Sequence, residues 1–166
     1  MTDRTDAATQ PPETRDMSDA AVRERIVRLA FDGDEGRFAR FVEVLREVVT
    51  PDATVILRGS AVTGERWEDG APFDADGPRT SDVDLTFVGG DMLRLFERFY
   101  IPALHSVPLS EEHPDAAPSL VPLRHTLCAL AGRPVNIQAT SDLVQYARDV
   151  VFNQPYYVLL AGSDAS

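Results

Sequence analysis

The sequence predicts an α/β fold built on one core, and three observations lead there. Two segments with apolar residues at helical spacing precede a short β-branched run, Thr54-Val55-Ile56-Leu57. Further on, Val83, Leu85 and Phe87 alternate with Asp82, Asp84 and Thr86, the period of two that a half-buried strand requires. A length of 166 residues, 43% of them hydrophobic and 26% charged, suits a single core, because chains divide into domains mainly beyond ~250 residues.

Residues 1–17 hold Thr, Asp, Arg, Gln and the pair Pro11-Pro12, with too few apolar side chains to offset the entropy of ordering. They read as a disordered tail ahead of a domain over 18–166. Ser18 is a candidate N-cap, with Asp19 in the first turn and Val22, Ile26, Leu29 and Ala30 at helical spacing. The run Asp32-Gly33-Asp34-Glu35-Gly36 breaks this helix. Phe38, Phe41, Val42, Leu45, Val48 and Val49 then define a second helix, whose other face carries Arg40, Glu43, Arg46 and Glu47 as a solvated, ion-paired surface. Pro51 and Asp52 end it, and a strand over 54–58 runs into Gly59-Ser60. Residues 65–80 are polar, rich in Gly, Pro and Asp and without periodicity, so they read as a long exposed loop.

After the strand at 83–88, Gly89-Gly90 turns the chain. Met92, Leu95, Phe96, Phe99 and Tyr100 then mark a third helix, curtailed by Pro102. Pro108, Pro114, Pro118 and Pro122 make 107–122 a loop. Leu123–Leu130 and Val135–Ala139 flank Ala131-Gly132-Arg133-Pro134 and read as a hairpin of two strands. Ser141 caps a helix reaching Phe152, and Tyr156–Leu160 is either an edge strand or a last buried helical turn. The predicted architecture is therefore a small mixed β-sheet with helices packed on one side.

All 16 basic residues are arginine. Without lysine the chain cannot use a Walker A phosphate lysine, a kinase strand lysine or a Schiff base. The single cysteine, Cys128, closes no intramolecular disulfide, and His105, His113 and His125 have no zinc-site spacing, which makes structural or exposed roles the expectation for each. A formal charge of −11 repels phosphate backbones, so nucleic acid is an unfavoured partner. No apolar run approaches the roughly 20 residues of a membrane helix. Asp3, Arg4 and Asp6 stand where a signal peptide would be apolar, and a reducing cytoplasm is the expected location.

The chemistry-bearing stretch is Arg58-Gly59-Ser60-Ala61-Val62-Thr63-Gly64 followed by Ser81-Asp82-Val83-Asp84-Leu85. On a strand, Asp82 and Asp84 share one face with Cα atoms roughly 7 Å apart, an arrangement that can hold a hard cation. A Gly-Ser turn leaving a strand lets backbone N–H groups and a hydroxyl approach a phosphate. These two halves resemble the nucleotidyltransferase superfamily typified by DNA polymerase β, in which a strand, Gly-Ser and a helical turn precede a strand bearing Asp-x-Asp. The likeness is close over 54–88, although the stretch 61–81 between Ser60 and Asp82 is longer than in compact members.

The resemblance implies a nucleotidyltransferase-like fold and transfer of a nucleoside monophosphate from a Mg²⁺-bound nucleoside triphosphate, ATP among them, to an acceptor hydroxyl. It implies phosphate binding by Gly59 and Ser60 and Mg²⁺ binding by Asp82 and Asp84. Arg58 and Arg66, next to the motif, are the first choices for the remaining positive charge. The acidic chain favours a small-molecule or protein acceptor.

The family's third acid has no counterpart, since Asn136 in Pro134-Val135-Asn136-Ile137-Gln138 takes its place. An asparagine can touch a metal or a hydroxyl, but it cannot accept a proton. Two alternatives follow. One is a catalytically impaired module of the same fold that binds nucleotide or a protein partner, and the other is an acidic α/β protein that matches by chance. Asn136 and Gln138 could also simply face solvent on an edge strand. Trp67 and Phe73 are either a lid over a base or residues tucked onto the domain. The Asp74-Ala75-Asp76-Gly77 run imitates a calcium loop without its closing glutamate.

Overall fold

The computed structural model describes residues 14–66, 68–150 and 154–162. Most of the expected tail, residues 1–13, lies outside these, as do Trp67 and the expected helix end at Val151–Phe152. Within the tail's last residues, Thr14–Asp16 forms a 3-10 turn and Met17 packs against the core. Helix α1 (Asp19–Ala30) begins as expected, with the Ala21 N–H donating to Ser18 Oγ at 3.1 Å. Helix α2 (Glu35–Val48) is capped by Asp34, whose carboxylate accepts from the Arg37 N–H at 3.0 Å. Its outer face carries the ion pairs Arg40–Glu43 and Arg40–Glu47.

Strands β1 (Thr54–Arg58) and β2 (Val83–Val88) stand where the pattern places them. A short helix α3 (Ser60–Thr63) follows β1. Beyond β2 the sequence reading needs two corrections. The expected helix over Met92–Tyr100 is only one turn, α4 (Gly90–Leu93), after which Phe99–Ile101 forms strand β3. Met92 and Leu93 are buried within that turn and Phe96 just beyond it, and the Glu97 N–H is captured by the Ala116 carbonyl at 2.7 Å. Tyr100 and Ile101, 62% and 43% exposed, are not part of an inward stripe. Strand β4 (His105–Ser106) completes this small hairpin.

The second correction concerns the expected hairpin. Leu123–Leu130 is not a strand but lies in helix α5 (Val121–Ala131), preceded by a 3-10 turn at Pro118–Leu120 inside the expected loop. Pro122 sits in its first turn, and Gly132, at φ +70°, closes it by donating to the Cys128 carbonyl at 2.8 Å. A proline near the start and a left-handed glycine past the end are helix boundaries, although the same residues are also at home in a loop and a hairpin turn. Strand β5 (Val135–Thr140) consequently pairs with β2 in parallel, placing Asp84 opposite Asn136. Helix α6 (Leu143–Asp149) is capped by Asp142 rather than Ser141, and β6 (Tyr156–Leu160) is a strand beside β1.

The six strands form one mixed sheet in the order β3-β4-β5-β2-β1-β6. One face buries Val55, Leu57, Val83, Leu85, Phe87, Val135, Ile137 and Ala139 in a common core with α1, α2 and α5. Phe31 anchors that layer edge-on to Phe38 and Phe41, at 5.4 and 5.1 Å between ring centroids. The opposite face is not bare, which corrects the expectation of helices on one side. Tyr146 of α6 packs on Ile56 there, fully buried, and it is the face that carries Asp82, Asp84 and Asn136.

A buried arginine ties these layers together. Arg133 donates to the carbonyls of Leu29 and Ala30 at the end of α1, to the Ser81 carbonyl, and with two nitrogens to Asp74 at 2.8 and 3.1 Å. Its guanidinium lies 4.7 Å from the Phe73 ring centroid. Asp74 and Ser81 also clasp each other, each backbone N–H donating to the other's side chain. Burial would raise the Asp74 carboxyl, but hydrogen bonds from Arg133 and the Ser81 N–H outweigh it and hold the group below the usual carboxylate range.

Asp74→Asn keeps the shape and removes the charge, leaving Arg133 buried without its counter-ion. The expected cost at neutral pH is roughly 3 kcal/mol, the low end for breaking a buried pair. A depressed folded-state value contributes stability above the unfolded value of about 3.9 and loses it as pH falls through the folded value. Thermal melts of the two proteins should therefore differ at neutral pH and converge on the acid side of about pH 4. A gap that stays constant down to pH 2 would show that this charge pair contributes nothing.

Candidate functional site

Strand β1 ends at Arg58 and leads straight into the turn that opens the site. Gly59 holds φ +91° and ψ −158°, and a Cβ placed on it would stand 3.0 Å from Asp84 Oδ2. Only glycine combines that backbone with so close a carboxylate. The turn passes into α3, whose Ala61 and Val62 are fully buried and whose Val62 carbonyl accepts from Arg25 at 3.0 Å. Gly59 and Ser60 are thus fixed against β2 by packing.

Asp82 precedes β2 and Asp84 lies within it, on the face turned toward Asn136. The Asn136 amide donates to Asp82 Oδ2 at 2.9 Å and to Asp84 Oδ1 at 3.2 Å, joining both carboxylates through one group. Burial first, and the charge of Asp84 second, push the Asp82 carboxyl above the usual carboxylate range, against the Asn136 hydrogen bond. The site therefore concentrates negative charge that the protein itself compensates poorly. Strand β5 lies between β4 and β2, and Gln138 is 1% exposed, so the solvent-facing edge-strand reading of Asn136 and Gln138 is wrong.

An open cavity of about 540 Å³ is bordered by Arg58, Gly59, Ser60, Arg66, Asp82 and Asp84, so the structure gathers six of the seven site residues expected from sequence around one space. The seventh, Asn136, touches both carboxylates but does not border the cavity. Val150 and Gln154 add a wall from the other end of the chain, which no sequence motif signalled.

Arg58 is set by a network that the sequence did not announce. Its guanidinium sits 5.8 Å from the Tyr146 ring centroid and donates to Gln138 Oε1 at 3.1 Å. Thr86 Oγ1 donates to the Tyr146 hydroxyl at 2.7 Å, the hydroxyl donates to Gln138 Oε1 at 2.8 Å, and Gln138 Nε2 donates to the Ser106 carbonyl at 2.6 Å. Burial raises the Tyr146 phenol above its ordinary value, which keeps it a neutral hydrogen-bond donor. Arg58 Nε is buried with no acceptor among the described residues. The polar residues of this face, Thr86, Gln138 and Tyr146, were legible only as alternation on strands and as a helical tyrosine.

Arg66 borders the cavity from the loop, but its charge is already engaged. It donates to both Asp69 oxygens at 3.2 and 3.1 Å and to Asp76 at 2.7 Å. The Ala71 N–H first, with Arg66, holds Asp69 below the usual carboxylate range. Asp74 is bound to Arg133 and Asp76 to Arg66, so the calcium-loop imitation is a set of arginine pairs. Phe73 is 9% exposed and packed in the core, which decides between its two readings in favour of a structural role. His105 is buried against Thr140 and Asp149, also structural.

Among the described residues no group of three or more His, Cys, Asp and Glu could hold a metal ion. The available donors are the two carboxylates beside a cavity. That set fits one Mg²⁺ taken up with a phosphate, since Mg²⁺ is commonly held by one or two carboxylates together with substrate phosphates and water. Among the described residues no helix is long and apolar enough to cross a membrane. Comparison of the chain with known protein families, curated proteins and solved structures finds no match.

The crowding of Asp82 and Asp84 has a consequence for stability. Asp82→Asn retains the acceptor for Asn136 and removes one of two partly desolvated like charges. In metal-free buffer at neutral pH this variant should melt higher than the natural protein, by roughly 1 kcal/mol of added stability. A lower melting temperature would mean that the pair is not a source of strain.

Proposed function

We propose that the protein is a nucleotidyltransferase that moves a nucleoside monophosphate from a Mg²⁺-bound nucleoside triphosphate to a hydroxyl of a small molecule or protein. The observation that carries this reading is that the Gly59–Ser60 turn and the Asp82–Asp84 carboxylate pair border one cavity, with Asp84 so near Gly59 that a side chain there would crowd it. In the first turn of α3 the Val62 and Thr63 N–H groups already donate to the Gly59 carbonyl at 3.0 and 3.2 Å, which leaves those of Ser60 and Ala61, with the Ser60 hydroxyl, to donate to the β- and γ-phosphates. Arg58, braced by Tyr146 and Gln138, supplies a cation in a fixed orientation. Asp82 and Asp84 would hold Mg²⁺, which when bound neutralises phosphate charge and supports departure of pyrophosphate.

In the reaction, the acceptor oxygen bonds to the α-phosphorus and the bond from that phosphorus to the pyrophosphate oxygen breaks. The acceptor proton leaves to solvent, because Asn136 cannot take it. The acidic wall of the cavity, with Glu68 and Asp76 beside Asp82 and Asp84, favours an acceptor other than nucleic acid. The cytoplasm is the location consistent with a nucleoside triphosphate substrate and a single free cysteine.

A second reading is supported by one observation. Asn136, the residue standing where the resemblance implies an acid, donates to both carboxylates, which supports reading the chain as a module that binds nucleotide, or a partner, without turnover. Pyrophosphate release from each of the four triphosphates, with Mg²⁺ and candidate acceptors, separates the two. Slow release by the natural protein is expected, with Asn136→Asp raising Mg²⁺ affinity and, through an added proton acceptor, turnover by roughly a hundredfold or more. Binding without release in both proteins would leave the binding module. Absence of both binding and release would reject the proposed function.

A further inference from the structure

We infer that Asp69 and Asp76 occupy the phosphate-binding edge of Arg66 when no ligand is present, so that the 65–80 loop restrains its own site. The inference rests on the function proposed above and concerns how that site is regulated. Arg66 borders the same cavity as Ser60, Asp82 and Asp84, yet its guanidinium is held on both edges by acids of its own loop. Asp69 takes Nε and Nη2 in a two-point contact, and Asp76 takes Nη1 at 2.7 Å. The guanidinium fork fits carboxylate and phosphate alike, so these oxygens stand where phosphate oxygens would bind.

Exposure makes the arrangement reversible. Asp69 and Asp76 are 56% and 68% exposed, so both carboxylates can return to water when displaced. The inner part of the loop is anchored separately, through Asp74, Ser81 and the buried Arg133. Glu68 carries the same charge at the same cavity but is not a partner of Arg66 among the described ion pairs. Binding of a triphosphate therefore exchanges Asp69 and Asp76 for phosphate at Arg66, and the acids set the affinity threshold of the site.

The test is a double-mutant cycle on binding of Mg²⁺-nucleoside triphosphate and of inorganic tripolyphosphate, measured calorimetrically. Asp69→Asn with Asp76→Asn should tighten binding roughly threefold to tenfold in the natural background and leave it unchanged in an Arg66→Gln background. Glu68→Gln should tighten it by less than the Asp pair. Equal tightening with and without Arg66, or from Glu68→Gln alone, would overturn the inference in favour of a general field effect. Unchanged affinity of the Asp variant, in a natural protein that does bind, would overturn it while leaving the proposed function standing. If neither ligand binds any variant, the proposed function falls and this inference with it.

Discussion

Parallel strands need a long crossover, and the chain between Val88 and Val135 supplies one through α4, the β3–β4 hairpin and α5. The pairing of β2 with β5 that this crossover permits determines where the remaining parts can go. It sets Val83, Leu85 and Phe87 beside Val135, Ile137 and Ala139 on one face, where α1, α2 and α5 cover them. By the alternation of strand side chains it sets Asp84 beside Asn136, and Thr86 beside Gln138, on the other. A slip of one residue would exchange these faces, bringing two carboxylates into the apolar core. The register is therefore specified by burial on one side and by charge on the other.

All 16 basic residues are arginine, and they divide between the fold and the rim of the cavity. Arg133 is spent entirely on the fold, binding the end of α1, the loop and the approach to Asp82 at once. Arg58 stands at the border, half engaged with Gln138 and Tyr146 and half available to the cavity. Arg66 belongs to the loop. This gradation follows from geometry: a planar five-donor group can satisfy several carbonyls and a carboxylate in one buried place, which an ammonium cannot do as well. The carboxylate pair, in contrast, receives a side-chain hydrogen bond only from the neutral Asn136 amide among the described residues, with Arg124 acting on Asp82 through its charge alone.

The elements with an unambiguous period were legible from sequence: α1 through its Ser18 cap, α2 through its apolar stripe, β1 and β2 through β-branching and alternation. That the candidate site residues gather around one cavity was legible for the same reason, because Gly59-Ser60 and Asp82-Val83-Asp84 lie in or beside those strands. What failed was punctuation. Pro122 and Gly132 bound a helix, but a proline-rich approach and an Ala-Gly-Arg-Pro run imitate loop and turn, and the apolar spacing of 92–100 did not reveal that β3 begins at Phe99. The Tyr146 network was beyond sequence reasoning, since it brings residues of β2 and β4 together with the consecutive β5 and α6 and appears only when α6 settles on the polar face. The same holds for Arg66, whose position beside the motif was informative while its engagement with Asp69 and Asp76 was not.

The central claim is that Asp82 and Asp84 hold a divalent cation together with a triphosphate seated on the Gly59–Ser60 turn. Its most direct test is the melting temperature of the natural protein and of the variant carrying both Asp82→Asn and Asp84→Asn, each with a nucleoside triphosphate in the presence and absence of Mg²⁺. Ligand at a hundred times its dissociation constant adds about 2.7 kcal/mol to the stability of the folded state. The account predicts a Mg²⁺-dependent rise in the natural protein and none in the double variant. An equal rise in both would place the metal and the nucleotide elsewhere and contradict it.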